Sequence, residues 1–174
     1  MKRVLMLASV ASMIDQFNMP NIALLQKLGY EVDVACNFIE GNTCSEARVA
    51  ELKQKLQDMH VRCYQIDFAR NIKHMGQNMR ALRQVEGLMK QNGYAFCHCH
   101  SPIGGVVARI AGHRTRTKVI YTAHGFHFYQ GAPVMNWLVY YPVEKVLSRW
   151  TDVLITINHE DYARACLLYT SPSP

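Results

Sequence analysis

The sequence predicts an α/β fold, a Rossmann-like parallel sheet with helices on both faces, and three observations predict it. Short apolar, β-branched runs recur at residues 4–8, 32–36, 61–66, 95–99, 119–122 and 153–157. Segments of helical periodicity separate them. Of 174 residues, 49% are apolar and 18% charged, a balance that supports one globular core. Alternation of strand and helix implies parallel strands joined by crossover helices, hence a sheet covered on both sides.

The helices are legible from their stripes and ends. Val49, Leu52, Leu56 and Met59 share one face, as do Ile72, Met75, Met79 and Leu82, and Gly93 is a natural stop for the second helix. Ser101 and Pro102 are an N-cap and a first-turn proline for a helix through Ile103, Val106, Val107 and Ile110. Ala132-Pro133 opens another, expected to run to about Arg149 with a kink at Pro142. Its segment 137–143 (Trp-Leu-Val-Tyr-Tyr-Pro-Val) is expected to pack on the sheet, because such stripes are usually core. The alternative is that its aromatics, with Lys145 and Arg149, touch lipid or a lipid-linked acceptor. Residues 9–19 read as an unusually long connection after the first strand, in the position where open α/β sheets hold ligands. A domain over residues 1–166 is followed by 167–174, which read as an irregular, truncated end to a helix begun at Asn158.

Composition narrows the classes. No apolar run approaches the roughly 20 residues that cross a bilayer. Lys and Arg outnumber Asp and Glu by 19 to 13, which favours anionic partners such as sugar nucleotides or an acidic membrane surface. The basic residues are scattered, with no aromatic-interleaved stripe, so nucleic acid is not the expected partner. The six cysteines are spaced like free thiols of a reducing compartment, not like a disulfide framework. The opening Met1-Lys2-Arg3 and the apolar run after it imitate a signal peptide, but the same residues are needed as the first strand, so a cytoplasmic location is expected.

Two segments carry candidate chemistry. In 95–100 (Ala-Phe-Cys-His-Cys-His), strand alternation sends Cys97 and Cys99 to one face and His98 and His100 to the other, so no metal site is expected. Ser101, Gly104 and Gly105 follow at a helix start, where free N–H groups could dock an anion or sugar hydroxyls, though small residues there also serve close packing. In 121–131, His124 stands at the carboxyl end of a strand beside Gly125, among aromatics suited to stacking on a sugar; His127 is a weaker candidate. The first strand leads into Ala-Ser-Val-Ala-Ser and not into G-x-G-x-x-G, which argues against a dinucleotide dehydrogenase. No phosphate loop of the G-x-x-x-x-G-K-[ST] type and no G-x-S-x-G elbow occurs either.

Taken together, segments 4–20, 28–35, 98–105, 121–128 and 151–158 resemble the amino-terminal domain of family-four, glycosyltransferase 4-like enzymes of bacterial capsular and exopolysaccharide synthesis. The resemblance implies one half of a GT-B enzyme, with the acceptor mainly on this half and the nucleotide-sugar donor mainly on a second. It implies a glycan or lipid-linked acceptor, retention of anomeric configuration, and no metal or other cofactor, while the basic bias and the aromatic helix allow peripheral membrane contact. His124 would lie beside the transferred sugar, and Ser9, Ser12 and Asp15 would help form the cleft. Ser101, Gly104, Gly105, Gly125 and His127 complete the candidate substrate-binding set. Many relatives carry a Gly-Gly pair in the first loop that this chain lacks. The paired glutamates of the family belong to the second half, so this fragment alone is expected to be inactive. A GT-B-like sugar-nucleotide epimerase and a non-catalytic glycan- or partner-binding module are the alternatives.

Overall fold

The computed structural model describes residues 1–69 and 74–169. Its centre is a six-stranded sheet of β1 (Lys2–Val10), β2 (Tyr30–Asn37), β3 (Arg62–Gln65), β4 (Phe96–His100), β5 (Lys118–Ala123) and β6 (Val153–Thr156). Every neighbouring pair is parallel, and the order is β3-β2-β1-β4-β5-β6. This is the doubly wound order in which the chain reverses direction between β1 and β4, and the crevice beyond those strand ends is where such sheets bind ligands.

Among the described residues, seven α-helical segments surround the sheet: α1 (Ala11–Met13), α2 (Met19–Lys27), α3 (Glu46–Asp58), α4 (Met75–Asn92), α5 (Pro102–Thr115), α6 (Val134–Leu147) and α7 (His159–Tyr169). The period-2 pattern of the strands sorts the core into two layers. Val4, Met6, Val32 and Val34 meet Ile22 of α2 and Val49, Leu52 and Leu56 of α3. Leu5, Leu7, Cys97, Cys99, Val119 and Tyr121 meet Val85 and Leu88 of α4 and Ala108 and Ala111 of α5 on the other face. Helix ends follow local chemistry: Ser45 caps α3 by accepting from the Arg48 N–H, and Gly93 ends α4 in the left-handed region at φ 59°. Ile72, expected on the α4 stripe, lies outside the described residues.

Three expectations differ from what is observed. Residues 9–19 are not a loop: β1 pairs on to Val10 opposite Asn37, and the chain passes through α1 and a π-helical turn, Ile14–Asn18, into α2. Burial of Ala11 and Ile14 drives this, and the Asn18 side-chain amide adds a bond to the Met13 carbonyl at the start of the π turn. Pro20 in the first turn of α2 is the sequence signal for that helix start. Secondly, α6 is mostly not core. It packs through Tyr140, Tyr141, Glu144 and Leu147, whereas Val134, Met135, Leu138, Val139, Val143 and Val146 are exposed. Thirdly, residues 167–169 are the last turn of α7, with Leu168 buried and the Tyr169 hydroxyl donating to Glu144.

Candidate functional site

At the carboxyl ends of β4 and β5, three imidazoles come together. The parallel register sets His98 opposite Ile120 and His100 opposite Thr122, so His124, two residues further on, shares their face. His98 Nε2 lies 2.8 Å from the Thr122 hydroxyl. His100 Nδ1 lies 3.1 Å from His124 Nε2, and the His98 and His100 ring centres are 4.4 Å apart. His100 is buried, with Nε2 lacking any partner, whereas His124 is half-buried. Phe17 of the π turn, largely exposed, leans on the His124 ring at 5.4 Å between centres.

Burial dominates the electrostatics. It pushes His98 down to about 4 and His100 down to about 3, helped by the charge each neighbouring imidazole would carry, and it lowers His124 as well. Near neutral pH the cluster is uncharged. Cys97 and Cys99 face the opposite core layer, as strand alternation requires.

Ser101 joins β4 to α5. Its backbone is at φ 67°, ψ 151°, a region that costs a non-glycine residue about 1–3 kcal/mol, and its hydroxyl accepts from the backbone N–H groups of Gly104 and Ser9. Those two bonds tie the end of β1 to the start of α5. The Gly104 and Gly105 N–H groups are therefore engaged, the second by the Ser101 carbonyl, and are not left free for an anion as their sequence position suggests. What the glycines do is allow close approach. A Cβ on Gly104 would meet Ser101 Oγ at 2.8 Å and Ser9 N at 3.3 Å, and one on Gly105 would meet the Tyr121 ring at 2.6 Å.

Ser12 is also buried, its N–H bonded to Asn42 Oδ1 and its hydroxyl accepting from the Thr43 N–H, so it fixes the segment after β2. The Asp15 carboxylate takes both the Nε (2.7 Å) and an NH2 group (3.2 Å) of Arg48. Ser9 is tied to Ser101 through its N–H, and Asp15 sits on the π turn that also carries Phe17, its side chain paired with Arg48 and only 9% exposed.

After β5 the chain is held by aromatic packing. Gly125 takes φ 131°, which favours glycine, and lets Phe126 and Phe128 turn inward, where they stack on each other and Phe128 meets Trp137 and Tyr141 of α6. His127 rests on Tyr140 and, with Gly125, lines a cavity of about 60 Å³ beneath α6. It does not join the His124 cluster. Asp161 is a residue that sequence reasoning missed: buried, it accepts from the Phe126 N–H and is held by Asn158. Arg109 and Glu144 were missed too. They form a buried two-point ion pair, completed by the Gly105 carbonyl and by Tyr121, whose ring lies 4.2 Å from the guanidinium.

Comparison with known proteins agrees with this fold. The family profile described as "Glycosyl transferase 4-like domain" matches residues 19–168. The chain is 41% identical over 167 residues to a Bacillus subtilis (strain 168) protein named "Putative glycosyltransferase EpsD", covering 94% of this chain and 40% of the relative. Among solved structures, Acinetobacter baumannii MurG aligns with a TM-score of 0.60 at 18% identity, over 91% of this chain and 41% of that one. Anabaena HepE, crystallised with UDP-glucose, aligns with a TM-score of 0.58 at 14% identity, over 88% and 37%. The chain thus spans about 40% of the length of these proteins.

Proposed function

Because the chain belongs to the glycosyl transferase 4-like family, we propose that it is the acceptor-side half of a retaining GT-B glycosyltransferase, one that moves a hexosyl unit from a nucleotide-sugar to a glycan or lipid-linked acceptor in surface-polysaccharide assembly. One observation carries the reading: a half-buried, uncharged His124 at the carboxyl end of β5, its Nε2 held by His100 and its ring flanked by an exposed Phe17. A neutral imidazole in that crevice can hydrogen-bond a hydroxyl of the donor sugar, with the aromatic ring beside it for the sugar face. Its lowered pKa and its engaged Nε2 suit positioning better than general-base work. In this reading Ser9, tied to Ser101 at the start of α5, and Asp15, on the same turn as Phe17, would help shape the cleft, with Gly104 and Gly105 allowing the close packing behind it. Stabilisation of the departing diphosphate, the larger electrostatic task, falls to a second domain. No metal takes part in this proposal: the histidines are directed at one another and the cysteines face away.

The bound UDP-glucose of HepE supports a nucleotide-sugar donor, and the exopolysaccharide-type relative supports the pathway class. The acceptor would be met at an anionic, cytoplasmic membrane surface. Among the described residues no helix is long and apolar enough to cross a membrane, but α6 presents Val134, Leu138, Met135, Val146 and Val139 on one arc that also carries Lys145, is followed just beyond the helix by Arg149, and is free of exposed acids.

The test uses a form extended to the length of its relatives and supplied with nucleotide-sugars. A glycoside retaining the donor's anomeric configuration is expected, and His124→Ala should lower turnover by about 10²-fold, the scale of a lost positioning contact. Free epimerised sugar without glycoside would assign the fold to an epimerase instead, and no turnover at all would make the chain a binding module. The 174-residue chain alone should not turn over.

A further inference from the structure

The histidine cluster contains a proton-placement problem with one good solution. With all three rings neutral, each carries a single ring proton. His100 Nδ1 and His124 Nε2 are 3.1 Å apart, so one nitrogen donates and the other accepts. His100 is 2% exposed, and its other nitrogen, Nε2, has no partner. Were the His100 proton on Nε2, an N–H would be stranded in a dry interior, the kind of orphan that folded proteins avoid most strictly. On Nδ1 the same proton is shared with His124, and only a lone pair is left bare. His124 Nε2 is then the acceptor, and the His124 proton must sit on Nδ1. That atom makes no hydrogen bond among the described residues and is not sealed from solvent.

We propose that His100 is a positioning residue that locks His124 as the Nδ1–H tautomer, so that the imidazole offers the crevice a hydrogen-bond donor and the ligand atom it meets is an acceptor oxygen of a sugar. The identity of that ligand rests on the glycosyltransferase reading; the tautomer does not. The inference reaches beyond His124 to a residue that never touches the substrate, and it fixes the polarity of the contact. In this form the ring has no free lone pair and cannot take a proton from an attacking hydroxyl. Thr122 acts one step further back: its hydroxyl occupies His98 Nε2 and holds the His98 ring against His100.

Long-range ¹H–¹⁵N correlation spectra of the histidine-labelled 174-residue chain at pH 7, without any sugar, read the tautomers directly. The His124 signals are identified by their loss in His124→Gln. For His124, a protonated Nδ1 and a bare Nε2 are expected; the reverse pattern, or exchange between both, overturns the proposal. In His100→Leu the single tautomer should give way to a mixture, and persistence of Nδ1–H there would remove His100 from the role. If that variant does not fold, the wild-type spectrum still decides the tautomer. Since no glycosyl transfer is measured, failure of this inference is distinct from failure of the functional reading.

Discussion

Replacing Gly105 by alanine tests how α5 is seated on the sheet. The added Cβ would lie 2.6 Å from Cε2, 3.0 Å from Cδ2 and 3.1 Å from Cζ of Tyr121, where carbon pairs settle at about 3.5–4.0 Å. Tyr121 cannot swing aside, since it is 4% exposed and the Arg109 guanidinium stacks on it. Relief requires α5 or the ring to shift by up to roughly 1 Å, an overpacking penalty of about 1–3 kcal/mol. Removing a helical glycine also gains up to about 1 kcal/mol, so the informative comparison is with Gly87→Ala in α4, where nothing lies within 4 Å of the new methyl. The helix gain is common to both variants and the overpacking is not. Thermal and urea unfolding followed by circular dichroism should show Gly87→Ala at or above wild type. Gly105→Ala should fall about 1–3 kcal/mol below Gly87→Ala, a midpoint difference of about 2–12 °C for a domain of this size. Equal stability of the two variants would refute the packing argument.

Three further outcomes are expected. Glu144→Leu strands the Arg109 guanidinium, which is 0% exposed, and should cost about 3–5 kcal/mol in urea unfolding; combining it with Arg109→Met should recover most of the loss, and a double variant no better than the single would contradict the pairing. The pH dependence follows from His100, whose folded pKa of about 3 lies far below the ordinary value near 6.5. The unfolded chain takes up that proton first, so this contribution is complete above about pH 6.5 and lost as pH falls toward 3, with a slope of up to about 1.4 kcal/mol per unit. His100→Asn should flatten the stability curve between pH 6.5 and 4.5, and parallel curves would rule the site out as its source. Finally, Leu138→Glu with Val146→Glu should abolish sedimentation with phosphatidylglycerol vesicles, while wild type should bind these and not phosphatidylcholine; binding that ignores either change would disprove the α6 contact.

The fold was legible because its signals are local. Period-2 runs, a serine–proline helix start and Gly93 each act within a few residues, and each agrees with the same architecture. The His124 position was legible for a topological reason, since ligands gather at the carboxyl ends of parallel strands. Its partner His100 was not. The alternation in β4 was visible, but sequence does not reveal that β4 lies beside β5 in a register setting His100 opposite Thr122. Residues 9–19 misled because a π turn has no composition of its own, and only burial of Ile14 marks it as structure. The buried Arg109–Glu144 pair was invisible because its members are 35 positions apart and both residue types usually face solvent.

The cluster of Ser9, Phe17, His98, His100, Ser101 and His124 is brought together by the trio of neighbouring strands β1, β4 and β5. No part of it can exist in a partly folded chain that has yet to join those strands. A ligand bound there would therefore slow amide exchange across the middle of the sheet, not merely at the rim it touches, because its affinity is withdrawn from every opened form at once.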